Sequence, residues 1–266
     1  MLKTEMRNEA SMHIDRMNTL SMMRLISEEN MNAARAVDAV LDKIAEVCDA
    51  VANAFENGGR LFYIGAGTSG RLGVIDAAEC PPTFGVPRGQ VIGIIAGGEK
   101  CMVQAAENEE DNAEAGKKDL QKYDFCEKDI VIGISASGGA AYVVGALEYA
   151  NRLGAVSVSL SSNADTPMER AAKIAIVVDT GAEVITGSTR MKSGTAQKLV
   201  LNMISTGAMV RTGKVYENMM INLRPSNIKL RARMIRIVCE ILHCNAEEAE
   251  ALLEANGWSI KEAVQS

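Results

Sequence analysis

Residues 63–73 have the sequence Tyr63-Ile64-Gly65-Ala66-Gly67-Thr68-Ser69-Gly70-Arg71-Leu72-Gly73, a glycine-rich loop that carries two adjacent hydroxyls. The apolar run at 61–64 predicts a buried strand before the loop, and the residues after Gly70 predict a helix. Glycines allow a tight turn and close backbone approach, and free N–H groups at a helix N-terminus suit a phosphate. The spacing also fits the weak Gly-x-Gly-x-x-Gly pattern of dinucleotide loops. The hydroxyls of Thr68 and Ser69 instead favour a phosphate cradle.

The rest of the chain repeats the alternation of strand and helix. Two predicted helices lie between residues 20 and 57, before the first strand. Four more short, apolar, β-branched runs follow, at residues 91–95, 130–134, 156–160 and 174–178. Continuous apolar strands separated by helices predict a parallel sheet covered on both faces, which is a three-layer α/β/α sandwich. Ligands in such sheets bind at the carboxyl ends of the strands. Residues 1–222 are therefore predicted to form the main domain, and residues 223–266 a small helical subdomain.

Composition excludes several classes of protein. The 266 residues are 47% hydrophobic and 4% aromatic, and no apolar run approaches the roughly 20 residues that span a bilayer. A net charge of -6 argues against nucleic acid as the main partner. The six cysteines lack Cys-x-x-Cys spacing, and the first residues are charged, which together predict free thiols and a cytoplasmic location. Only two histidines are present, so neither a His-based triad nor a metal site is expected, and no cofactor is predicted.

A second loop has the same design as the first. Residues 135–139, Ser-Ala-Ser-Gly-Gly, follow the predicted strand at 130–134 and open another predicted helix. Two hydroxyl-bearing loops at the same edge of one sheet can converge on one phosphate. A third loop at 186–195 adds Arg190 and Lys192 to several hydroxyls, which suits charge-assisted contacts to phosphate or carboxylate. The alternative for either cation is a solvated charge beside a helix cap.

Two acidic features are candidates for proton transfer. Glu79 is expected near the C-terminal end of the first loop's helix, where the helix dipole disfavours a negative charge, as is useful in a general acid. The alternative is an exposed surface glutamate. An acidic run follows at Glu107, Glu109, Glu110, Asp111 and Glu114. Such runs are usually solvated faces, and spacing alone cannot select a catalytic member.

Two stretches carry a specific resemblance. Residues 63–85 and 183–198 closely resemble the two signatures of the N-acetylmuramic acid 6-phosphate etherase family. The resemblance implies the sugar isomerase (SIS) fold, a C-terminal bundle of ubiquitin-associated type, and a homodimer with sites near the subunit interface. It also implies that a sugar phosphate is the substrate. The implied reaction removes D-lactate from C3 of N-acetylmuramic acid 6-phosphate without a metal, in the recycling of cell-wall amino sugars.

The resemblance also implies roles for individual residues. By motif position, Glu79 matches the family's proton donor and Glu110 its second catalytic glutamate. The positions expected to bind the phosphate are Gly67, Thr68, Ser69, Ser135, Ser137 and Gly138. The positions where sugar or lactyl contacts are expected are Glu183, Ser188, Thr189 and Lys192.

The second loop departs from the family pattern. Family members usually carry Arg-Thr-Pro after its Ser-Gly, whereas this chain has Gly139-Ala140-Ala141, which removes one hydroxyl and one cation. Two alternatives therefore stay open. One is a non-catalytic sugar-phosphate sensor like the glucokinase regulatory protein, and the other is an aldose-ketose isomerase of the SIS fold.

Overall fold

A computed structural model describes residues 1–104, 109–225 and 227–265. Its centre is a five-stranded parallel sheet with the strand order β2-β1-β3-β4-β5. The strands are β1 (Leu61–Gly65), β2 (Val91–Ile95), β3 (Ile130–Ile134), β4 (Val156–Ser161) and β5 (Ile174–Val177). Leu61 pairs with Val91 on one side and Ile130 on the other. The predicted parallel sheet is confirmed.

Helices cover both faces of the sheet. In chain order they are α1 (Thr19–Asp38), α2 (Leu41–Glu56), α3 (Gly67–Phe84), α4 (Ala113–Gln121), α5 (Ala141–Arg152), α6 (Pro167–Ala171) and α7 (Lys192–Arg211). Apolar side chains of α1, α2, α3 and α7 share one core with one face of the sheet. Those of α4, α5 and α6 share a second core with the other face. The predicted three-layer α/β/α sandwich is confirmed.

Four of the five strands are continuous apolar runs because both of their faces are buried, whereas β4 alternates apolar residues with buried serines. In β1, Leu61 and Tyr63 belong to the first core, whereas Phe62 and Ile64 belong to the second. All four side chains are fully buried. Burying a large apolar side chain stabilises a fold by about 1.5–3 kcal/mol, so this strand stabilises both layers at once.

Helix α3 packs closely on the sheet and is longer than expected. A Cβ atom added at Gly73 would lie 2.8 Å from the Cβ of Tyr63, so only glycine permits this approach. The helix continues through Pro81 and Pro82 and ends at Gly85, which has the left-handed φ of 64°. Glu79 lies about one and a half turns before the end of the helix, near its C-terminus as expected. Phe84, the last residue of the helix, packs in the first core.

The N-terminal residues lie across the carboxyl edge of the sheet. Three short 3-10 turns, Lys3–Glu5, Glu9–Ser11 and Ile14–Arg16, precede α1. Thr4 is fully buried and bonds to Asn163, which follows β4. The periodicity of the sequence did not predict this segment.

The C-terminal residues are helical, as predicted. After a short hairpin of β6 (Val215–Tyr216) and β7 (Met219–Met220) come α8 (Ile228–Leu242), α9 (Ala246–Ala255) and α10 (Ile260–Ala263). Met234, Val238, Leu253 and Ile260 form the fully buried centre of their own core. Within the described residues, no helix is both long and apolar enough to cross a membrane.

Candidate active site

A cavity of about 280 Å³ opens at the carboxyl edge of the sheet. It is lined by Glu5, Ala66, Gly67, Thr68, Ser69, Glu110, Ser135, Ala136, Ser137 and Thr189. The chain runs from β1 to β2 on one side and then returns to β3 on the other. The cavity therefore lies at the point where the strand order reverses, which is where open α/β sheets bind their ligands.

The first wall of the cavity is the N-terminus of α3. Ala66 precedes the helix and provides no side-chain cap, so the first backbone N–H groups are available to a ligand. Thr68 and Ser69 lie in this first turn. Ser69 is only 8% exposed, and its Oγ donates a 3.0 Å hydrogen bond to Oε1 of Gln197 on α7.

The second wall is the loop between β3 and α5. The Oγ atoms of Ser135 and Ser137 lie 3.2 Å apart, and the N–H of Gly139 donates to Ser137 Oγ at 3.2 Å. Gly138 has a φ of 73°, and an added Cβ would lie 2.6 Å from the side chain of Thr166, so glycine is required. The helix again starts without a side-chain cap, at Ala140. The uncapped N-terminus of α3 and the serine loop that leads into α5 thus border one cavity, an arrangement that favours an anion, whereas Gly138 does not line it.

The N-terminus of α7, in contrast, already holds a carboxylate from this chain. Glu183 is fully buried. Its Oε2 accepts the N–H of Lys192 at 3.0 Å, and its Oε1 accepts the N–H of Ser193 at 2.9 Å. A carboxylate at this position complements the helix dipole. Glu183 was expected to contact the sugar or lactyl group, but the structure turns it inward, away from the cavity lining.

Lys192 is also turned inward. Its side chain is 3% exposed, and its Nζ lies 2.5 Å from Oε2 of Glu29 on α1. Glu29 Oε2 also accepts a 2.7 Å hydrogen bond from Asn8. Lys192 is thus part of a buried ion pair and does not line the cavity, unlike the contact expected from the sequence. Ser188 is half-buried and also lies outside the lining, whereas Thr189 is part of it.

The structure selects one member of the acidic run. Glu110 lies in a 3-10 turn after β2 and lines the cavity. Glu109 instead lies against Gly97, where an added Cβ would come 3.0 Å from its Cγ. Glu114 forms a 3.0 Å ion pair with Lys117 on α4. Glu107 lies outside the described residues.

Glu79 is exposed on α3 and does not line the cavity. Eleven residues separate it from Thr68, which is about 16 Å along a helix axis. Burial and the nearby Asp76 carboxylate raise the pKa of the adjacent Cys80 thiol to about 12. Cys80 therefore remains a neutral thiol at neutral pH and is not a nucleophile, because nucleophilic attack needs the thiolate.

Three lining residues were not predicted from the sequence: Ala66 and Ala136, which belong to the two predicted loops, and the charged residue Glu5. Glu5 reaches the cavity from the N-terminal segment, so the described residues of one chain bring two carboxylates to the cavity, those of Glu5 and Glu110. No periodicity or motif signalled Glu5. The described part of the chain contains no group of three or more His, Cys, Asp or Glu side chains placed to hold a metal ion.

Comparison with solved structures supports the fold. The chain is similar to a phosphoheptose isomerase from Francisella tularensis, with a TM-score of 0.57, 19% identity, and coverage of 72% of this chain and 98% of that one. A phosphoheptose isomerase from Neisseria gonorrhoeae gives a TM-score of 0.55 at 15% identity, covering 71% and 98%. At these identities the likeness concerns the fold alone.

Sequence comparison identifies the family. The model of the glucokinase regulatory protein N-terminal SIS domain matches residues 43–151, and that of the SIS domain matches residues 113–206. The chain is 53% identical to the N-acetylmuramic acid 6-phosphate etherase of Photorhabdus laumondii, over 96% of this chain and 85% of that protein. It is 52% identical to N-acetylmuramic acid 6-phosphate etherase 2 of Vibrio cholerae, over 99% and 86%. The chain therefore belongs to the N-acetylmuramic acid 6-phosphate etherase family, whose fold here is that of a SIS domain.

Proposed function

We propose that this protein cleaves the D-lactyl ether of N-acetylmuramic acid 6-phosphate to give N-acetylglucosamine 6-phosphate and D-lactate. One observation carries the proposal. In a chain about half identical to proteins named for this activity, the uncapped N-terminus of α3, the serines of the loop before α5 and the carboxylate of Glu110 border one cavity. We assign the reaction to the recycling of cell-wall amino sugars.

The phosphate is proposed to bind between α3 and α5. Backbone N–H groups at the start of both helices donate to it, together with the hydroxyls of Thr68, Ser69, Ser135 and Ser137. Gly67 and Gly138 allow the backbone to approach it closely. This arrangement needs no lysine or arginine in the cradle, and neither is found among the described residues that line the cavity.

The chemistry needs two proton-transfer groups. In the open-chain sugar, the C1 aldehyde acidifies the proton on C2, and a base removes it. The bond from C3 to the lactyl oxygen then breaks, an acid protonates that oxygen, and a double bond forms between C2 and C3. Water next adds its hydroxyl to C3 while a proton returns to C2. Two carboxylates suffice for these steps. We assign them to Glu110 and, as proton donor, Glu79.

Glu79 does not line its own chain's cavity, so we propose a homodimer in which it acts on the partner's cavity. The face of α3 around Glu79 supports this proposal. Ile75, one turn before Glu79, is 53% exposed, and Met203 on the adjacent helix α7 is 42% exposed. A second copy that covered these apolar side chains would also bury Glu79 at the interface.

Glu183, Lys192 and Ser188 are proposed to act through loop 186–190. The carboxylate of Glu183 and the ion pair of Lys192 with Glu29 hold the start of α7. The loop before α7 presents Thr189 to the cavity. Thr189 is therefore the member of this group that we assign to direct contact with the sugar or lactyl group.

Two broader features of the protein also remain proposals. We propose that residues 223–266 form a separate subdomain, because α8, α9 and α10 have their own apolar core. We propose a cytoplasmic location, which is supported by six cysteines in the free state.

Release of D-lactate from N-acetylmuramic acid 6-phosphate tests the proposed activity. The purified protein should release one D-lactate per N-acetylglucosamine 6-phosphate formed, as measured with a D-lactate dehydrogenase coupled assay. The unphosphorylated sugar is the matched control and should react poorly. Binding without lactate release would instead identify a sugar-phosphate sensor, and conversion of an aldose phosphate to a ketose phosphate would identify an isomerase.

A further inference from the structure

The N-terminal segment is fastened directly to the second loop of the cavity. The N–H of Thr4 donates to Asn163 Oδ1 at 3.4 Å, and its Oγ1 accepts from Asn163 Nδ2 at 3.1 Å. Asn163 Nδ2 also donates to the carbonyl of Ala136 at 2.9 Å. Ala136 lies between the two serines of the cavity. Both Thr4 and Asn163 are buried, so this clamp holds the residue after Thr4 at a defined place.

A second set of contacts fastens the segment to the chain that follows β5. Ser11 Oγ donates to the carbonyl of Val184 at 2.7 Å, and Asn8 Nδ2 donates to the carbonyl of Ala182 at 3.2 Å. Lys3 forms an ion pair with Asp179. The segment is therefore tied down on both sides of Glu5.

Glu5 differs from these neighbours because its side chain takes no part in holding the segment. It lines the cavity, and within the described residues its carboxylate has no hydrogen-bond or ion-pair partner. A Cβ added at Gly187 would lie 3.2 Å from Glu5 Oε2, so the carboxylate lies against the loop that carries Thr189. The fold thus presents a carboxylate at the cavity with its hydrogen-bonding capacity unused.

We propose that Glu5 contacts the substrate and accepts hydrogen bonds from hydroxyl or amide N–H groups of its sugar part. An ionised carboxylate is only an acceptor, so it cannot bind the phosphate and repels it. Donors on the sugar suit it instead. Glu5 thereby fixes the orientation of the substrate, with the phosphate at the helix N-termini and the sugar towards Glu5. This inference rests on the proposed function, because it takes a phosphorylated amino sugar as the ligand.

Paired binding measurements test this inference. Calorimetry compares the unaltered protein with Glu5→Gln, using N-acetylglucosamine 6-phosphate and inorganic phosphate as probes. We expect Glu5→Gln to bind the sugar phosphate about tenfold or more weakly, the usual effect of losing a hydrogen bond to a charged group. Inorganic phosphate should bind equally well or more tightly, because a negative charge has been removed. A purely structural role would weaken the binding of both probes.

Two control variants make the result specific. Glu9→Gln lies on the same segment, is exposed and is outside the cavity lining, so it should bind both probes as the unaltered protein does. Thr4→Val removes the hydroxyl that accepts from Asn163 and should weaken sugar-phosphate binding, whereas Thr4→Ser should restore it.

The outcomes separate this inference from the proposed function. Unchanged sugar-phosphate binding in Glu5→Gln overturns the role of Glu5, even if the unaltered protein releases D-lactate. An unaltered protein that binds the sugar phosphate but releases no D-lactate overturns the proposed activity, and the role of Glu5 is still decided by the paired affinities. An unaltered protein that binds neither probe overturns the role of Glu5, and the D-lactate assay then decides the proposed activity by itself.

Discussion

Ser69 Oγ donates its hydrogen bond to Oε1 of Gln197, across the contact between α3 and α7 and away from the cavity. Gln197 is 2% exposed, and its Nε2 has no partner among the described residues. If the side-chain amide of Gln197 flips by about 180°, its Nε2 donates to Ser69 Oγ, and the serine hydroxyl can then donate to a ligand. The Gln197 amide can therefore serve Ser69 either as acceptor or as donor, and a bound phosphate favours the second arrangement.

This relationship predicts the effect of changing Gln197. Gln197→Glu replaces the amide with a carboxylate that can only accept, so the Ser69 hydroxyl should continue to donate to residue 197 and not to a phosphate. Inorganic phosphate should therefore bind about tenfold or more weakly. Gln197→Met keeps a similar volume without either hydrogen bond and should bind phosphate nearly normally. Calorimetric titration of both variants measures the difference. Equal affinities would show that the Ser69 hydroxyl does not donate to the phosphate.

The phosphate cradle predicts a coupled effect of two serines. Ser69→Ala and Ser137→Ala should each raise the Michaelis constant, with a loss of about 1.5–3 kcal/mol for a bond to a charged group. The free-energy loss of the double variant should differ from the sum of the two single losses, because both hydroxyls contact one ligand group. The unphosphorylated sugar is the control and should react equally with all variants. If its reaction falls in parallel, these loops do not bind the phosphate.

The position of Glu110 predicts a loss of turnover on mutation. Glu110→Gln should lower kcat by ~10²–10⁴, the usual effect of a positioned acid or base, while substrate binding changes little. Glu109→Gln is the matched control, because its side chain lies against Gly97. Steady-state kinetics of both variants check this. An equal loss of kcat in Glu109→Gln would mean that the total charge of the acidic run supports turnover and that Glu110 has no specific role.

The exposed position of Glu79 predicts complementation between chains. Glu79→Gln and Glu110→Gln should each be nearly inactive alone. If each cavity uses Glu79 of the partner, mixed dimers hold one intact site, and an equimolar mixture should regain about a quarter of full activity. Subunits exchanged by mild denaturation and refolding provide the mixture. Activity that stays at the level of the single variants would place both glutamates in the same chain.

The buried pair of Lys192 and Glu29 predicts a loss of stability. Lys192→Met leaves the Glu29 carboxylate largely buried without its cation, and removal of one partner of a buried pair costs about 3–5 kcal/mol. The double variant Lys192→Met with Glu29→Met should recover much of this loss. Urea unfolding measures the free energies. A loss in Lys192→Met as small as that of an exposed pair, under about 1 kcal/mol, would contradict the burial of the pair.

The sequence alone was sufficient to predict the sheet, the layers of helices on both of its faces, and two loops of the site. Strands buried on both faces are mostly apolar, and short apolar, β-branched runs located β1 to β5 within one residue at each end, including β4 with its buried serines. Because the carboxyl ends of parallel strands share one edge, the loops after β1 and β3 had to lie near each other. Thr68, Ser69, Ser135 and Ser137 were predicted at a common cavity for that reason, and the structure brings them together.

Only the tertiary structure decided which charged residues reach the cavity. Glu5 arrives there because Thr4 bonds to Asn163, a contact between residues 159 positions apart. Glu183 and Lys192 were assigned by motif position to the substrate, but the start of α7 and Glu29 hold them inside the fold. Local patterns in the sequence specify which element a residue belongs to. The direction of a charged side chain depends on partners that are distant in the chain, and those partners meet only when the layers pack.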